Sequence, residues 1–354
     1  MHVPDGFINA PVSVAAGVVA AGAVAVSLRG ARRELDERTA PLAGLVAAFI
    51  FAVQMLNFPV AAGTSGHLLG GALAAILVGP YTGVLCVSVV LLMQGILFAD
   101  GGLTALGVNI TVMAVVTSVV AYATFRGLVK VLPKKRRSVT VSAFVAAAIS
   151  VPAAALAFTL VYAIGGTTDV PIGRVLTAMV GVHVLIGLGE AAITAFTVGA
   201  VIAVRPDLVH GAQGLTRKLQ LRVGGELVDV APAAAPQPEP ASSHRTRNVW
   251  LTGLAASLVL AGVVSFYASA SPDGLEKVAA DKGIDAKVEE HAAADSPFAD
   301  YGVEGISDGR LSGGLAGVIG VGVTVVAGTG VFWAVRRRRT DEDPSAAATP
   351  TASV

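Results

Sequence analysis

Apolar runs about as long as a lipid bilayer is thick make up most of this chain. A helix needs about 20 mainly apolar residues to cross the roughly 30 Å hydrocarbon core. The runs that approach this length are Phe7–Leu28, Pro41–Phe58, Gly66–Gly79, Tyr81–Phe98, Leu103–Phe125, Val139–Ile164, Arg174–Val204, Val249–Ala270 and Leu311–Val335. Because only helices and closed barrels satisfy their backbone in lipid, we predict an all-α integral membrane protein. It would comprise a bundle of about seven transmembrane helices and a two-helix membrane module with an extracytoplasmic loop.

Two of these runs depart from a simple span. The third run is short and ends at Gly79-Pro80, so it is predicted to be a half-span or a tilted helix. The seventh run is long enough for its helix to break near Gly187. These two runs leave the number of spans open by one.

The composition favours a lipid-facing surface over a soluble one. Hydrophobic residues make up 54% of the chain, charged residues only 14%, and the mean hydropathy is +0.73. Soluble proteins have a similar apolar fraction but carry about 25% charge. Nucleic acid is excluded as a partner, because there is no basic domain and only 5% of the residues are aromatic. The single cysteine, Cys86, lies in an apolar run and has no intrachain partner for a disulfide.

Basic residues predict how the chain is oriented. Lys and Arg cluster after the first, fifth and seventh runs, as in Arg32-Arg33 and Lys134–Arg137, and again after the last run at Arg336–Arg339. If the runs alternate in direction, all these clusters lie on one side, which the positive-inside rule assigns to the cytoplasm. We therefore predict a multi-pass protein of the cell membrane with an extracytoplasmic N-terminus, no signal peptide and a cytoplasmic C-terminus.

The sequence divides into four predicted parts. Residues 1–210 form the larger membrane component, and residues 211–247 form a cytoplasmic linker rich in Pro and Ala. Residues 248–339 form the two-helix module, with Ser271–Arg310 outside the membrane, and residues 340–354 form a disordered cytoplasmic tail. The outer segment carries ten carboxylates against four Lys and Arg residues. We expect most of these carboxylates to serve solubility and to raise the local cation concentration modestly.

The first two residues, Met1-His2, offer three nitrogen ligands to a metal ion. The α-amine, the amide nitrogen of His2 and the His2 imidazole Nδ1 can close two adjacent chelate rings, leaving one in-plane position. Such a nitrogen set favours Ni²⁺ or Cu²⁺ first and Co²⁺ less obviously. The bulky His2 disfavours removal of the initiator Met, so the geometry can persist.

His67 is the candidate for the fourth ligand. It lies at the outer mouth of the third run, on the same predicted side as the N-terminus. A lone His at a helix start is more often a cap or a hydrogen-bond donor. The missing in-plane nitrogen changes that balance, and we predict a site formed by Met1, His2 and His67.

Polar residues inside the runs are costly in lipid and mark the interior of the bundle. Gln54, Asn57, Gln94 and Asn109 flank its outer half. They are candidates for orienting the imidazoles from behind, although bonding between neighbouring helices is the more common role.

Two further polar residues, His183 and Glu190, lie seven positions apart on one helix face. They are compatible with a proton relay or, more commonly, with an interior hydrogen-bonded pair. No His-Glu-x-x-His motif is present, and no Gly-Lys dipeptide occurs, so the chain has no Walker A loop. Transport driven by ATP would require an ATPase on another subunit.

Several motifs in sequence order resemble one family. The opening Met1–Ile8, the stretch around Ser65-Gly66-His67, the segment Gln94–Asn109 and the segment His183–Ala191 are similar to the CbiM/NikM cobalt and nickel transport proteins. These are the substrate-capture components of energy-coupling factor (ECF) transporters. The resemblance covers residues 1–210 and implies that Met1, His2 and His67 bind a transported Ni²⁺ or Co²⁺, with no catalytic cofactor.

The C-terminal module carries its own resemblance. Ser271–Glu276 and the later Ser296–Tyr301 resemble the PDGLE domain, which is similar in layout to the CbiN/NikN accessory subunits. The chain thus resembles a fusion of the two components. The resemblance implies a transmembrane coupling subunit and two ATPase subunits as partners, besides membrane lipid.

Two other function classes remain at this point. A metal-dependent intramembrane enzyme could use the same site with an open coordination position, but no general base is evident beside His2 and His67. A metal-sensing receptor would need a cytoplasmic signalling domain, and residues 205–247 are too short and too rich in Pro.

Overall fold

The computed structural model describes residues 1–36, 39–61, 63–212, 220–223, 226–229 and 243–341, mostly as helices. The helices are α1 (Ala10–Glu34), α2 (Thr39–Gln54), α3 (Gly71–Val78), α4 (Pro80–Leu97), α5 (Leu106–Asn109), α6 (Thr117–Val131), α7 (Arg136–Gly165), α8 (Ile172–Val204), α9 (Ser243–Gly262), α10 (Gly274–Lys282) and α11 (Gly309–Asp341). A π-helical segment, Ile110–Val116, joins α5 to α6 in one continuous rod. Short 3₁₀ turns occur at Pro206–Leu208, His210–Ala212, Val264–Tyr267 and Ala299–Tyr301.

Among the residues that the structure describes, six helical segments are long and apolar enough to cross a membrane. They are Ala10–Glu34, Pro80–Leu97, Leu106–Val131, Arg136–Gly165, Ile172–Val204 and Gly309–Arg337. The predicted all-α, multi-pass membrane architecture is confirmed. The exact number of spans stays a prediction, since α2 has 16 residues and α3 only 8.

The two short helices, α2 and α3, lie inside the protein. All eight residues of α3 are buried, and so are twelve of the sixteen in α2. A helix that is apolar all round belongs in a protein core. Helix α2 packs against α4 on one side and against α9 and α11 of the C-terminal module on the other.

Helix α8 runs through Gly187 without a break, so the interruption that the length of the seventh run allowed does not occur. Gly187 instead permits close packing on α7. A Cβ at this position would lie 3.1 Å from the Ala148 carbonyl oxygen and 3.4 Å from Pro152 Cδ. The glycine thus allows two long helices to approach, as small residues do in membrane bundles.

Two antiparallel hairpins interrupt the helical pattern. Strand β1 (Phe58–Ala61) pairs with β2 (Thr64–Gly66), so the third predicted run begins as a strand and becomes helical at Gly71. Strand β3 (Gln220–Val223) pairs with β4 (Glu226–Asp229) inside the predicted linker. Most of the remainder of the predicted linker, 211–247, and residues 342–354 of the predicted tail lie outside the described residues.

The C-terminal module is built on close helix packing between α9 and α11. A Cβ on Gly317 of α11 would meet the Ala261 carbonyl oxygen at 2.5 Å, and one on Gly314 would meet the Gly262 carbonyl oxygen at 2.6 Å. The segment between these helices, which contains α10, covers the N-terminus of the chain. It therefore forms one wall of the candidate site.

Candidate metal site

The first residues of the chain are held in an extended, buried segment. The Asn109 side chain accepts from the Val3 amide at 2.8 Å and donates to the Val3 carbonyl at 3.1 Å, and Gly102 N donates to that carbonyl at 2.9 Å. Met1 is only 2% exposed. Asn109 lies where α5 enters its π-helical segment, a departure from α-helix geometry that is frequent at functional sites. The clamp fixes where the α-amine lies.

Asp5, two residues after Val3, holds the same segment in place by further hydrogen bonds. Its carboxylate accepts from Leu103 N at 3.2 Å, from Thr104 N at 2.8 Å and from Thr104 Oγ1 at 2.5 Å. Gly101, at φ +81°, lies where a Cβ would meet Asn109 Nδ2 at 2.9 Å and His2 Cβ at 3.2 Å. Only glycine permits this approach, so the loop after α4 lies directly against the chain terminus.

The three predicted ligand residues lie together. The Met1 amine nitrogen is 2.6 Å from His67 Nε2, and the ring centroids of His2 and His67 are 5.0 Å apart at an angle of 41°. His67 is 5% exposed and follows strand β2 directly. The β1–β2 hairpin and the start of α3 therefore position this imidazole against the terminus.

The hydrogen bonds of the two rings indicate which nitrogens are free. His67 Nδ1 lies 3.0 Å from the Leu68 carbonyl, which can only accept, so Nδ1 carries the proton and the Nε2 lone pair faces the amine. His2 Nδ1 faces the Asp100 carboxylate, whereas its Nε2 is buried with no hydrogen-bond partner among the described residues. The predicted chelate uses His2 Nδ1, and in the structure that atom is engaged by Asp100.

Two carboxylates that the sequence reasoning did not single out touch the predicted ligands. Asp273 forms an ion pair with the Met1 amine and lies 3.4 Å from His67 Nε2. Asp100 bonds His2 and accepts from the Tyr301 hydroxyl at 2.5 Å. Asp273 and Tyr301 belong to the PDGLE-like motifs, and Asp100 to the Gln94–Asn109 stretch. The motifs marked these residues, but their side-chain roles required the tertiary contacts.

The charge states of these groups follow from burial and from neighbouring charges. Burial alone would raise the pKa of Asp273, but the neighbouring α-ammonium holds it well below its usual range. Burial likewise acts to raise the pKa of Asp100, yet the charge of His2 and the bonds from His2 and Tyr301 lower it to about 2. Burial, followed by the α-ammonium, lowers the pKa of His67, and burial with the nearby Asp100 raises that of Tyr301. The site thus combines two anionic carboxylates with a His67 ring kept in its neutral, metal-binding form.

The four polar residues predicted to orient the imidazoles form hydrogen bonds with residues around the site. Gln54 donates to the Leu69 carbonyl at 3.0 Å, and Gln94 donates to the Tyr301 hydroxyl at 2.9 Å. The main-chain carbonyl of Asn57 accepts from Ser269 N at 2.7 Å, and the side chain of Asn109 accepts from Val3 N. Among the described contacts, none of the four bonds an imidazole directly.

His183 and Glu190 do not form the predicted interior pair. Glu190 accepts from Leu69 N at 2.6 Å and from Gly70 N at 3.2 Å, whereas His183 Nδ1 donates to the Met179 carbonyl at 2.7 Å. Both side chains are buried. Glu190 satisfies amides at the start of α3 that have no partner within the helix, and it thereby fixes the loop that carries His67.

The outer segment closes the site by main-chain contacts. Ser65 N donates to the Pro272 carbonyl at 2.9 Å, and Ser65 Oγ donates to the Ser271 carbonyl at 2.7 Å. On the far side of the terminus, Glu289 N donates to the Asp5 carbonyl at 3.1 Å. The module is therefore hydrogen-bonded both to the His67 hairpin and to the N-terminal segment.

The donor set at this position depends on the main chain. Among the described residues, no three His, Cys, Asp or Glu side chains converge closely enough to hold a metal by themselves. A metal ion here would need the α-amine and backbone nitrogen beside the two imidazoles. Such a set suits Ni²⁺, Cu²⁺ or Co²⁺ rather than Mg²⁺ or Ca²⁺, which prefer oxygen ligands.

The chain matches known protein families in two separate regions. Residues 2–208 match the family described as the cobalt uptake substrate-specific transmembrane region, CbiM, and residues 247–337 match the PDGLE domain. A putative metal transport protein of Haloquadratum walsbyi is 40% identical over 209 residues, which cover 59% of this chain and 93% of that protein. A putative fused nickel transport protein NikMN of Archaeoglobus fulgidus is 38% identical over 235 residues, 66% of this chain and 76% of its own. A solved structure of a truncated transition metal transporter aligns with a TM-score of 0.50 at 26% identity, covering 57% of this chain and 99% of that one.

Proposed function

This chain belongs to the CbiM family of cobalt uptake transmembrane regions, here joined to a PDGLE domain, and we propose that it is the substrate-binding component of an energy-coupling factor transporter. Proteins of this family are membrane components of cobalt and nickel transport. The proposed cargo is Ni²⁺ or Co²⁺, bound by the Met1 amine, the backbone and ring nitrogens of His2, and His67. The transported ion is cargo, and no catalytic cofactor is proposed.

One observation carries this proposal. The α-amine of Met1, almost fully buried, faces the Nε2 lone pair of His67 at 2.6 Å. The amine is also paired with Asp273, so the described contacts satisfy it. We propose that a divalent ion that accepts nitrogen ligands takes the amine nitrogen and His67 Nε2 as adjacent ligands. His2, whose ring lies 5.0 Å from that of His67, supplies the remaining two nitrogens, one from its backbone and one from its ring.

Binding by His2 would require its ring to turn. Only Nδ1 can close a chelate ring with the residue's own backbone nitrogen, and Nδ1 faces Asp100. A half-turn about the Cβ–Cγ bond points Nδ1 away from Asp100 and brings Nε2, which is buried without a partner, to the side that Asp100 faces. The carboxylate would then hold Nε2–H from behind, as carboxylates commonly orient metal-bound histidines.

The proposed orientation places the site at the extracytoplasmic face. Basic residues cluster at the opposite ends of the helices, which by the positive-inside rule lie in the cytoplasm together with the C-terminus. The sequence contains no Walker A loop. We therefore propose a transmembrane coupling subunit and two ATPase subunits as partners, whose work would open the site inward. In this proposal, 1–210 is the metal-binding component and 248–339 the accessory module, joined by 211–247.

The relatives are named as metal transport proteins, which agrees with a transporter component and not with a metal-dependent enzyme. The donor set also favours transport. Four nitrogens fill the plane around the ion and leave no in-plane position for a reacting water.

The decisive experiment moves the α-amine. Two residues added ahead of Met1 would bury an amide where the ligand amine should lie, and we expect metal uptake by cells to fall to background. The matched control carries the same two residues after Val354. Full uptake by the N-terminally extended chain, shown by mass spectrometry to keep its extension, would exclude the amine as a ligand.

A further inference from the structure

The acidic residue at the start of α10 lies inside the proposed metal site although it belongs to the C-terminal module. Asp273 is 8% exposed, and its Oδ2 faces both the Met1 amine and His67 Nε2. We propose that Asp273 is a cargo-binding residue whose carboxylate supplies the negative charge that a divalent ion requires in the closed site. This inference rests on the proposed function and adds a ligand-facing residue from the accessory module.

The two oxygens of Asp273 have separate tasks. Oδ1 accepts from Glu276 N at 2.8 Å, while Glu276 Oε2 accepts from Asp273 N at 2.9 Å. These two bonds form a capping box at the start of α10. The other oxygen, Oδ2, is left for the site. The cap of α10 uses only Oδ1, so capping alone does not account for the contact between Oδ2 and the buried Met1 amine.

The position of this carboxylate does not depend on the ion pair alone. The preceding residues, Ser271 and Pro272, are tied to Ser65 by two hydrogen bonds of 2.7 Å and 2.9 Å. The following Gly274 lies so close to α8 that a Cβ would meet Val182 Cγ1 at 3.0 Å and His183 Cε1 at 3.1 Å. Backbone contacts on both sides therefore aim Asp273 into the site in advance.

Charge balance explains why a carboxylate is needed there. A buried charge is tolerated only when it is paired. Asp273 pairs with the Met1 amine and lies 3.4 Å from His67 Nε2, so the same carboxylate would face the charge of an ion bound by these two groups. Asp100, the other carboxylate at the site, is already engaged by His2 and Tyr301. Asp273 is thus the carboxylate that is placed to pair with a bound ion.

The test uses the full chain in detergent, with Ni²⁺ as the probe and its affinity measured by isothermal titration calorimetry. Asp273→Asn removes the charge but keeps a good helix cap, because Asn is as favourable as Asp at that position. The matched control is Asp308→Asn. Asp308 is an exposed cap at the start of α11, where it accepts from Arg310 N at 3.0 Å and Leu311 N at 2.9 Å. We expect at least a tenfold loss of Ni²⁺ affinity for Asp273→Asn and less than a twofold change for Asp308→Asn.

Hydrogen exchange of residues 271–276 accompanies each titration. A tenfold loss with unchanged exchange supports the inference. Affinity within twofold of the wild type overturns it, and so does a loss accompanied by faster exchange, because the variant would then have detached the segment. His67→Ala separates this inference from the proposed function. If His67→Ala loses affinity and Asp273→Asn does not, only the inference fails; if His67→Ala also retains affinity, the proposed site itself is wrong.

Discussion

The hydroxyl of Tyr301 links the C-terminal module to the ring of His2. The hydroxyl donates a hydrogen bond to Asp100 at 2.5 Å and accepts one from Gln94 Nε2 at 2.9 Å. Asp100 in turn bonds the imidazole of His2. Tyr301 also stacks on Phe98, with ring centroids 5.0 Å apart. The ring is therefore held by packing, and the hydroxyl fixes the carboxylate that orients His2.

Replacing this hydroxyl tests its contribution. Tyr301→Phe keeps the stacking but removes two hydrogen bonds, the one donated to Asp100 and the one accepted from Gln94. A hydrogen bond to a charged group such as the Asp100 carboxylate is an interaction of about 1.5–3 kcal/mol. We expect Ni²⁺ affinity to fall about tenfold, the equivalent of about 1.4 kcal/mol. The matched control is Tyr267→Phe, since the Tyr267 side chain is 80% exposed. An affinity equal to that of the wild type would show that Asp100 needs no support from the module.

At the scale of single residues, sequence reasoning predicted a set of metal ligands that lie together in the structure, but not the carboxylates beside them. Met1 and His2 follow from chelate geometry, and His67 from one missing nitrogen and a shared membrane side. Asp273 is one of ten carboxylates in the outer segment, and the PDGLE-like motif marks it without indicating what its side chain contacts. Its role depends on a contact across 272 positions of the chain, which no local pattern contains.

At the scale of elements, the most consequential contact is the cap that α8 provides for α3. Glu190 accepts from the amides of Leu69 and Gly70, immediately after His67. Helix α3 has a glycine, Gly70, at its own N-cap and so makes no side-chain cap of its own. A carboxylate from another helix therefore completes the start of α3 and holds the ligand loop.

A neutral isostere should weaken this cap. Glu190→Gln keeps one acceptor oxygen but directs an amide NH₂ at the second backbone N–H, leaving a buried donor unsatisfied at a cost of about 1–3 kcal/mol. We expect a lower thermal unfolding midpoint in detergent and a weaker Ni²⁺ affinity. Glu289→Gln, at an exposed position of the outer segment, is the control for loss of one carboxylate. A midpoint unchanged from that of the control would mean that α3 needs no cap from α8.

The predicted helices occur where the sequence places them, but several begin or end at residues other than those predicted. The second apolar run was predicted to continue to Phe58, but α2 ends at Gln54 and Phe58 begins a strand. An apolar stretch of a few residues fits a strand as well as a helix, and periodicity does not distinguish them. The length of the seventh run also allowed a break at Gly187, but α8 is continuous there, because this glycine serves close packing on α7.

At the scale of the whole molecule, the C-terminal module is integrated into the bundle. Helix α11 packs along α2, and the outer segment contacts both the His67 hairpin and the N-terminal segment. The sequence predicted two helices and an outer loop, but not where they dock. Docking depends on the fit of small residues against particular neighbours, since lipid supplies no hydrophobic drive between helices.

Gly320 is the point where α11 meets the aromatic cluster beneath Tyr301. A Cβ at this position would collide with the Phe51 ring and approach Phe98 Cζ at 2.9 Å. Phe51 and Phe98 are fully buried and pack on each other with centroids 5.1 Å apart. A larger side chain has no space there, so α11 must move away from α2 and α4, and Tyr301 must move with it.

Gly320→Leu should therefore loosen the cover of the metal site without touching a ligand. We expect faster hydrogen exchange in residues 1–9 and 271–276, and a Ni²⁺ affinity reduced by about tenfold or more, because overpacking costs about 1–3 kcal/mol. Gly322→Leu is the matched control: the same substitution two positions along α11, where an added Cβ meets no atom within 4 Å. Equal affinity and equal exchange in the two variants would show that the site holds its metal without the docked module, and that the contacts of Asp273 and Tyr301 are incidental.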